Sequence, residues 1–118
     1  MEGEPLADDC LVIRGGLMEL RTLRNSLTAC LVERGYYGLS FWGDNGLAFN
    51  AICRAAGLRN LRVRASTVAR LRALGMEPYR SGRPPHLSLR FVVPPTDGEL
   101  DRLADAFEHP VRNPYPAD

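Results

Sequence analysis

Lysine is absent from this chain: all fifteen basic residues are arginine. Cysteine is scarce, and Cys10, Cys30 and Cys53 are odd in number without a Cys-x-x-Cys spacing. That excludes a disulfide framework and reads as reduced, buried thiols of a cytoplasmic protein. Histidine occurs only as His86 and His109, and neither stands at metal-ligand spacing, so no metal and no cofactor is expected. There is no Gly-rich phosphate loop of either common type, which leaves nucleotide-driven chemistry without a motif. No apolar run approaches the roughly 20 residues that span a bilayer, so no membrane partner is expected. The acidic start, Met-Glu-Gly-Glu-Pro-Leu-Ala-Asp-Asp, is unlike a secretory signal. Arginine without lysine, beside abundant Ala, Gly and Pro, is the bias of a GC-rich bacterial genome.

What the chain does have is clustered charge. Nine arginines and a single acid, Glu77, lie between Arg54 and Arg90, a local net charge of +8. Residues 1–53 carry four arginines against seven acids, and residues 91–118 two against six, so the overall +1 conceals an acidic–basic–acidic pattern. Guanidinium is a planar, permanently charged fork matched to phosphate and carboxylate, so the block points to a polyanion, RNA or DNA, or to an acidic protein.

Hydropathy periodicity predicts one small α+β domain over residues 10–108, between a flexible leader (1–9) and a Pro-rich extended tail (109–118). Leu17, Leu20, Leu23, Leu27, Cys30 and Leu31 recur at helical spacing, giving a helix near 17–34 that ends at Gly35. Further helices are expected near 47–56, with Asp44 or Asn45 as cap, near 66–74, with Ser66 or Thr67 as cap, and near 97–108. Thr96 and Glu99 form a capping box for the last. Strands are expected at Cys10–Arg14, Tyr36–Trp42, Leu61–Ala65, Glu77–Ser81 and His86–Val93, making a mixed or antiparallel sheet of about four to five short strands.

Alternation puts Arg62 and Arg64 on one face of their strand, and His86, Ser88 and Arg90 on one face of theirs. Were the two faces shared, an imidazole would sit among guanidiniums. The arginines would then hold a phosphodiester while His86 acts as general acid or base. The bland counterpart is a solvated outer sheet face, which shows the same alternation.

Ser66–Arg72, Leu74-Gly75-Met76-Glu77, Arg80-Ser81-Gly82 and Pro85-His86-Leu87-Ser88 resemble the core of HicA-type mRNA interferases, over residues 66–107. That resemblance implies a small double-stranded-RNA-binding-like fold with His86 as the essential residue and Arg80, Arg83 and Arg90 as RNA contacts. It also implies an acidic antitoxin as partner. Leu47–Gly57, Ser66–Gly75 and the strands to Val93 are similar to a winged helix-turn-helix, which would put Arg70 and Arg72 on a DNA-recognition helix and Arg80 and Arg83 on the wing. Arg14-Gly15-Gly16 at a strand end, followed by Tyr36-Tyr37-Gly38-Leu39-Ser40, resembles ADP-ribosyltransferases. That family binds NAD with an Arg or His at a strand end and an aromatic or Ser-rich strand, and carries a catalytic Glu. Arg14, Tyr37 and Ser40 would form the NAD site here, with Glu77 or Glu99 as the acid.

The leading expectation is an RNA-binding bacterial protein of the toxin–antitoxin kind. In it Arg62, Arg64, Arg80, Arg83, Arg90 and Ser88 hold RNA, and His86 catalyses metal-independent cleavage. A DNA-binding regulator, an NAD-using transferase and a non-catalytic adaptor are the alternatives.

Overall fold

The computed structural model describes residues 4–115. Its elements run β1 (Leu11–Gly15), α1 (Leu20–Arg34), β2 (Tyr37–Trp42), α2 (Phe49–Ala56), β3 (Arg62–Thr67), α3 (Val68–Ala73), β4 (Tyr79–Arg80), β5 (His86–Phe91), α4 (Asp97–Asp105) and β6 (Val111–Arg112). The strands form one antiparallel sheet in the order β4-β5-β2-β1-β3-β6. The α+β class is as expected, with six strands rather than four to five. No helix among the described residues is long and apolar enough to cross a membrane.

Strand alternation sorts the core onto the two sheet faces. Val12, Leu39, Phe41, Leu87 and Leu89 point to one face, where Leu23 and Leu27 of α1, Val68 and Leu71 of α3, and Leu100 and Leu103 of α4 bury them. Ile13 and Val63 point to the other, against Ile52 and Cys53 of α2. Burying each such aliphatic side chain contributes on the order of 1.5–3 kcal/mol, so these two clusters outweigh any surface charge pair. α2 packs against β1 and β2, but over β2 and β5 the second face presents Gly38, Ser40, His86, Ser88 and Arg90 instead of apolar groups.

Helix ends follow local chemistry except at the starts of α1 and α2, where Glu19 and Ala48 make no side-chain cap. Thr67 accepts the Arg70 amide at the start of α3, and Thr96 and Glu99 close the expected capping box on α4. α1 stops where Gly35 takes a left-handed φ of 83°. Neither Asp44 nor Asn45 caps α2, whose N-cap is Ala48 without a side-chain bond. Asp44 instead accepts the Asn45 amide and pairs with Arg80, and Asn45 bonds Pro5 and Ala7.

Both ends of the chain are better anchored than their composition implied. Leu6 is buried in the first cluster, Arg72 bonds the Leu6 carbonyl and Asp8, and Arg80 bonds the Glu4 carbonyl. At the other end β6 pairs with β3. Asn113, buried, donates to the carbonyls of Leu58 and Asn60, both at 2.9 Å, and Tyr115 packs on the second cluster. The expected leader and tail are therefore parts of the fold from Glu4 to Tyr115; residues 1–3 and 116–118 lie outside the described residues.

One irregularity positions the site. β1 pairs with β3 at five positions and β2 with β5 at six, yet β1 and β2 share a single pair, Ile13 opposite Trp42. Just past that pair, Gly43 lies so close to β1 that a Cβ would stand 2.0 Å from the Leu11 carbonyl, which only glycine tolerates. In the other direction, where Gly15 and Ser40 would meet, no further pair forms. The Arg14 guanidinium takes the Ser40 carbonyl instead, at 2.7 Å.

Candidate functional site

The structure divides the expected arginine–histidine surface. Register puts Arg14, Arg64 and Ser66 on the first face, along with Arg62, which is two residues from Arg64. Arg80, opposite Leu87, points that way as well. His86, Ser88 and Arg90 point to the second face, opposite Trp42, Ser40 and Gly38. β5 and β3 are also three strand positions apart, about 14 Å at the usual spacing. Alternation within each strand was read correctly; what it could not supply was the relative facing of two strands that never pair.

Four of the nine arginines in the basic block are engaged internally. Arg64 donates to the carbonyls of Glu108, Leu17, Ala104 and Phe107 at 2.9–3.1 Å, closing the C-terminal end of α4. Arg72 pairs with Asp8 and Glu77, and these contacts raise its pKa further. Arg70 pairs with Glu108 and Arg80 with Asp44. Arg70 and Arg72 are thus not the free face of a recognition helix. Arg62 is exposed opposite another arginine, Arg112. Arg83 is exposed in the loop before β5, where its carbonyl accepts the His86 amide. The Arg90 guanidinium lies 4.0 Å from the centre of the Tyr36 ring.

What the fold does assemble is a groove along the gap between β1 and β2, walled by α1 and by the second-face positions of β2 and β5. One part, about 290 Å³, is lined by Arg34, Tyr36, Ser81, His86 and Ser88. The adjoining part, about 460 Å³, is lined by Arg14, Ser26, Glu33, Trp42 and Asn60. Cys30, Arg34, Gly38 and Ser40 belong to both, so the two make one continuous trough. Its floor is low because β2 presents Gly38 and Ser40 there; a Cβ on Gly38 would come within 3.2 Å of the Cys30 sulfur.

Arg14 is the unusual group at one end. Its residue is 8 % exposed, and among the described residues no carboxylate pairs with it. Burial alone lowers its pKa from the usual arginine range to about 10. The guanidinium donates to the Ser40 carbonyl at 2.7 Å and the Ser26 hydroxyl at 3.0 Å and lies over the Phe41 ring. A guanidinium carries five N–H donors, so donors remain for whatever enters the groove.

His86 stands at the other end. Its Nδ1 lies 2.9 Å from the Ser81 carbonyl and 2.8 Å from the Ser81 hydroxyl, which itself is 2.6 Å from the Ser88 hydroxyl. A carbonyl only accepts, so the proton belongs on Nδ1 and Nε2 is left with a lone pair. Trp42 meets the imidazole edge-on, with ring centres 5.6 Å apart.

Of the residues expected to bind NAD, Arg14 and Ser40 are in contact. Tyr37 is not with them: it points to the first face, because Leu39 and Phe41, its period-two neighbours, are core. Tyr36 lines the groove in its place. Neither proposed acid is there either, since Glu77 pairs with Arg72 and Glu99 is held by the α4 cap. Glu33 is the acid on the groove wall. The sequence signal that would have found the groove is the absence of large side chains at Gly38, Ser40 and Ser88, which the alternation of β2 and β5 puts on one face. Compared with protein-family models, with curated proteins and with solved structures, the chain matches none.

Proposed function

We propose that the groove binds a dinucleotide of the NAD class and that the protein transfers its ADP-ribosyl group. The observation that carries this reading is Arg14, a buried guanidinium that opens onto a cleft and has no carboxylate partner among the described residues. Desolvating a charge without an opposite charge costs several kcal/mol, and hydrogen bonds to the neutral Ser40 carbonyl and Ser26 hydroxyl offset it without supplying a counter-charge. A pyrophosphate would supply the missing anion through charge-assisted hydrogen bonds. Arg34 adds a second cation on the wall, Tyr36 and Trp42 provide planar surfaces for ring systems, and the trough has the volume expected of a small-molecule site. The pairing of Arg14 on β1 with Ser40 on β2 matches the resemblance to ADP-ribosyltransferases at those two positions.

Isothermal titration of the protein with ADP-ribose tests the binding. Loss of one charged hydrogen-bonding group from such a site costs about 1.5–3 kcal/mol, so Arg14→Ala should weaken binding by roughly 10- to 100-fold. Absence of binding by the wild-type protein at millimolar ADP-ribose would sink the reading.

The RNA-cleaving reading keeps one observation in its favour, the fixed Nδ1 of His86, which leaves Nε2 able to accept a proton from a ribose hydroxyl. Its RNA contacts would be Arg83 and Arg90, with Arg80, which shares a cavity with His86, and not Arg62 or Arg64. An acidic antitoxin belongs with this reading. Incubation with an unstructured oligoribonucleotide decides it: cleavage lost in His86→Ala and unaffected by Arg62→Ala supports it, and intact RNA removes it.

A further inference from the structure

His86 does more than close the groove. Beside it lies a second cavity, a notch of about 290 Å³ lined by Asp44, Arg80, Pro84 and Pro85, which shares Gly82 and His86 with the groove. The imidazole is therefore a partition between two cavities, shared by both. Gly82, Pro84 and Pro85 beside the ring are small or rigid, and the Arg80–Asp44 pair forms the charged wall of the notch. Ser81 grips Nδ1 through its carbonyl and hydroxyl, and Ser88 braces that hydroxyl. Such an arrangement fixes both the ring orientation and the tautomer, and it directs a basic Nε2 away from the Ser81 backbone.

We infer that His86 is the general base of the transfer and that the notch receives the acceptor, an oxygen nucleophile carrying an O–H group. This rests on the NAD reading above. In the step, a lone pair on the acceptor oxygen forms a bond to C1′ of the nicotinamide ribose. The C1′–N bond breaks, its electron pair returns to the pyridinium nitrogen, and neutral nicotinamide leaves. The acceptor proton passes to Nε2 of His86, so that atoms and charge balance without another reactant. The groove then holds the donor and the notch the acceptor, with the proton acceptor standing between them. The arrangement also accounts for an active groove with no expected glutamate in it: the acid–base role falls to the imidazole.

The experiment measures two quantities on the same proteins: the affinity for ADP-ribose, by calorimetry, and nicotinamide release from NAD in the presence of total bacterial extract as the source of acceptors. General bases contribute about 10²–10⁴-fold, so His86→Gln should bind ADP-ribose within about twofold of wild type yet release nicotinamide at least 100-fold more slowly. Retained binding also shows that the variant is folded. Ser81→Ala, which keeps the carbonyl contact and loses the hydroxyl, should fall between the two. Binding of ADP-ribose without any nicotinamide release, or release by His86→Gln at the wild-type rate, overturns the role of His86 while the nucleotide site stands. No ADP-ribose binding by the wild-type protein overturns the NAD reading and this inference with it.

Discussion

Replacing Arg14 by methionine separates a functional guanidinium from a structural one. Two opposing effects can be set against each other. Burial brings the Arg14 pKa down from the usual arginine range to about 10, which corresponds to roughly 3 kcal/mol lost in holding the charge out of water. Methionine, unbranched and of similar reach, removes that loss and can keep contact with the Phe41 ring. It also leaves the Ser40 carbonyl and the Ser26 hydroxyl without their donor. A deserted buried polar group costs about 1–3 kcal/mol, but Ser26 and Ser40 are both only half-buried, so water can restore part of it. The two effects nearly cancel, and Arg14→Met should lie within about 1.5 kcal/mol of wild type. ADP-ribose binding should nevertheless be lost. Equilibrium urea unfolding followed by the fluorescence of the single tryptophan, Trp42, measures the stability, with an unchanged m-value as the check on two-state behaviour. A destabilisation above about 3 kcal/mol would refute the reasoning, because it would show that Arg14 is a clip holding β1 to β2 and needs no ligand to explain it.

Two further predictions follow from the same geometry. Arg64→Ala removes four hydrogen bonds, three at the C-terminal end of α4 and one to the Leu17 carbonyl, and should destabilise by about 3 kcal/mol, whereas Arg62→Ala, at an exposed position, should stay within about 0.5 kcal/mol; urea unfolding of both variants checks this, and equal effects would contradict the assignment. Burial, aided by the nearby Asp44 carboxylate, raises the Cys10 thiol from 9.0 to about 11. The folded state therefore keeps a proton that the unfolded state releases, so this stabilisation is full below pH 9 and fades as pH rises to 11, by up to about 3 kcal/mol. The stability gap between wild type and Cys10→Ala should narrow over that interval, and a gap independent of pH would contradict it.

Much of the fold was legible because its determinants are local. Leu20, Leu23 and Leu27 of the α1 stripe, the Thr96–Glu99 capping box and the alternation of Leu87, Leu89 and Phe91 each depend on residues within a few positions of one another and appear where the pattern put them. Leu17, before the helix, Leu31, and Val93, past its strand, are exposed instead. β6 was not legible. Two residues between prolines carry no strand signal, and their pairing with β3 depends on Asn113 meeting carbonyls more than fifty residues earlier in the chain.

The site divides along the same line. Sequence alone determined which residues share a strand face: Arg62 with Arg64, and His86 with Ser88 and Arg90. It also singled out Arg14 and Ser40 as a pair worth watching, by resemblance. Only the tertiary structure decided which faces coincide, because facing depends on strand order and on pairings between distant segments. Arg64, Arg70, Arg72 and Arg80 looked like a surface for a polyanion, yet distant carbonyls and carboxylates occupy them. Arg14 stood out in the sequence only through that resemblance. Its burial in the gap between β1 and β2, with no ion-pair partner among the described residues, is what sets it apart, and no local pattern encodes that gap.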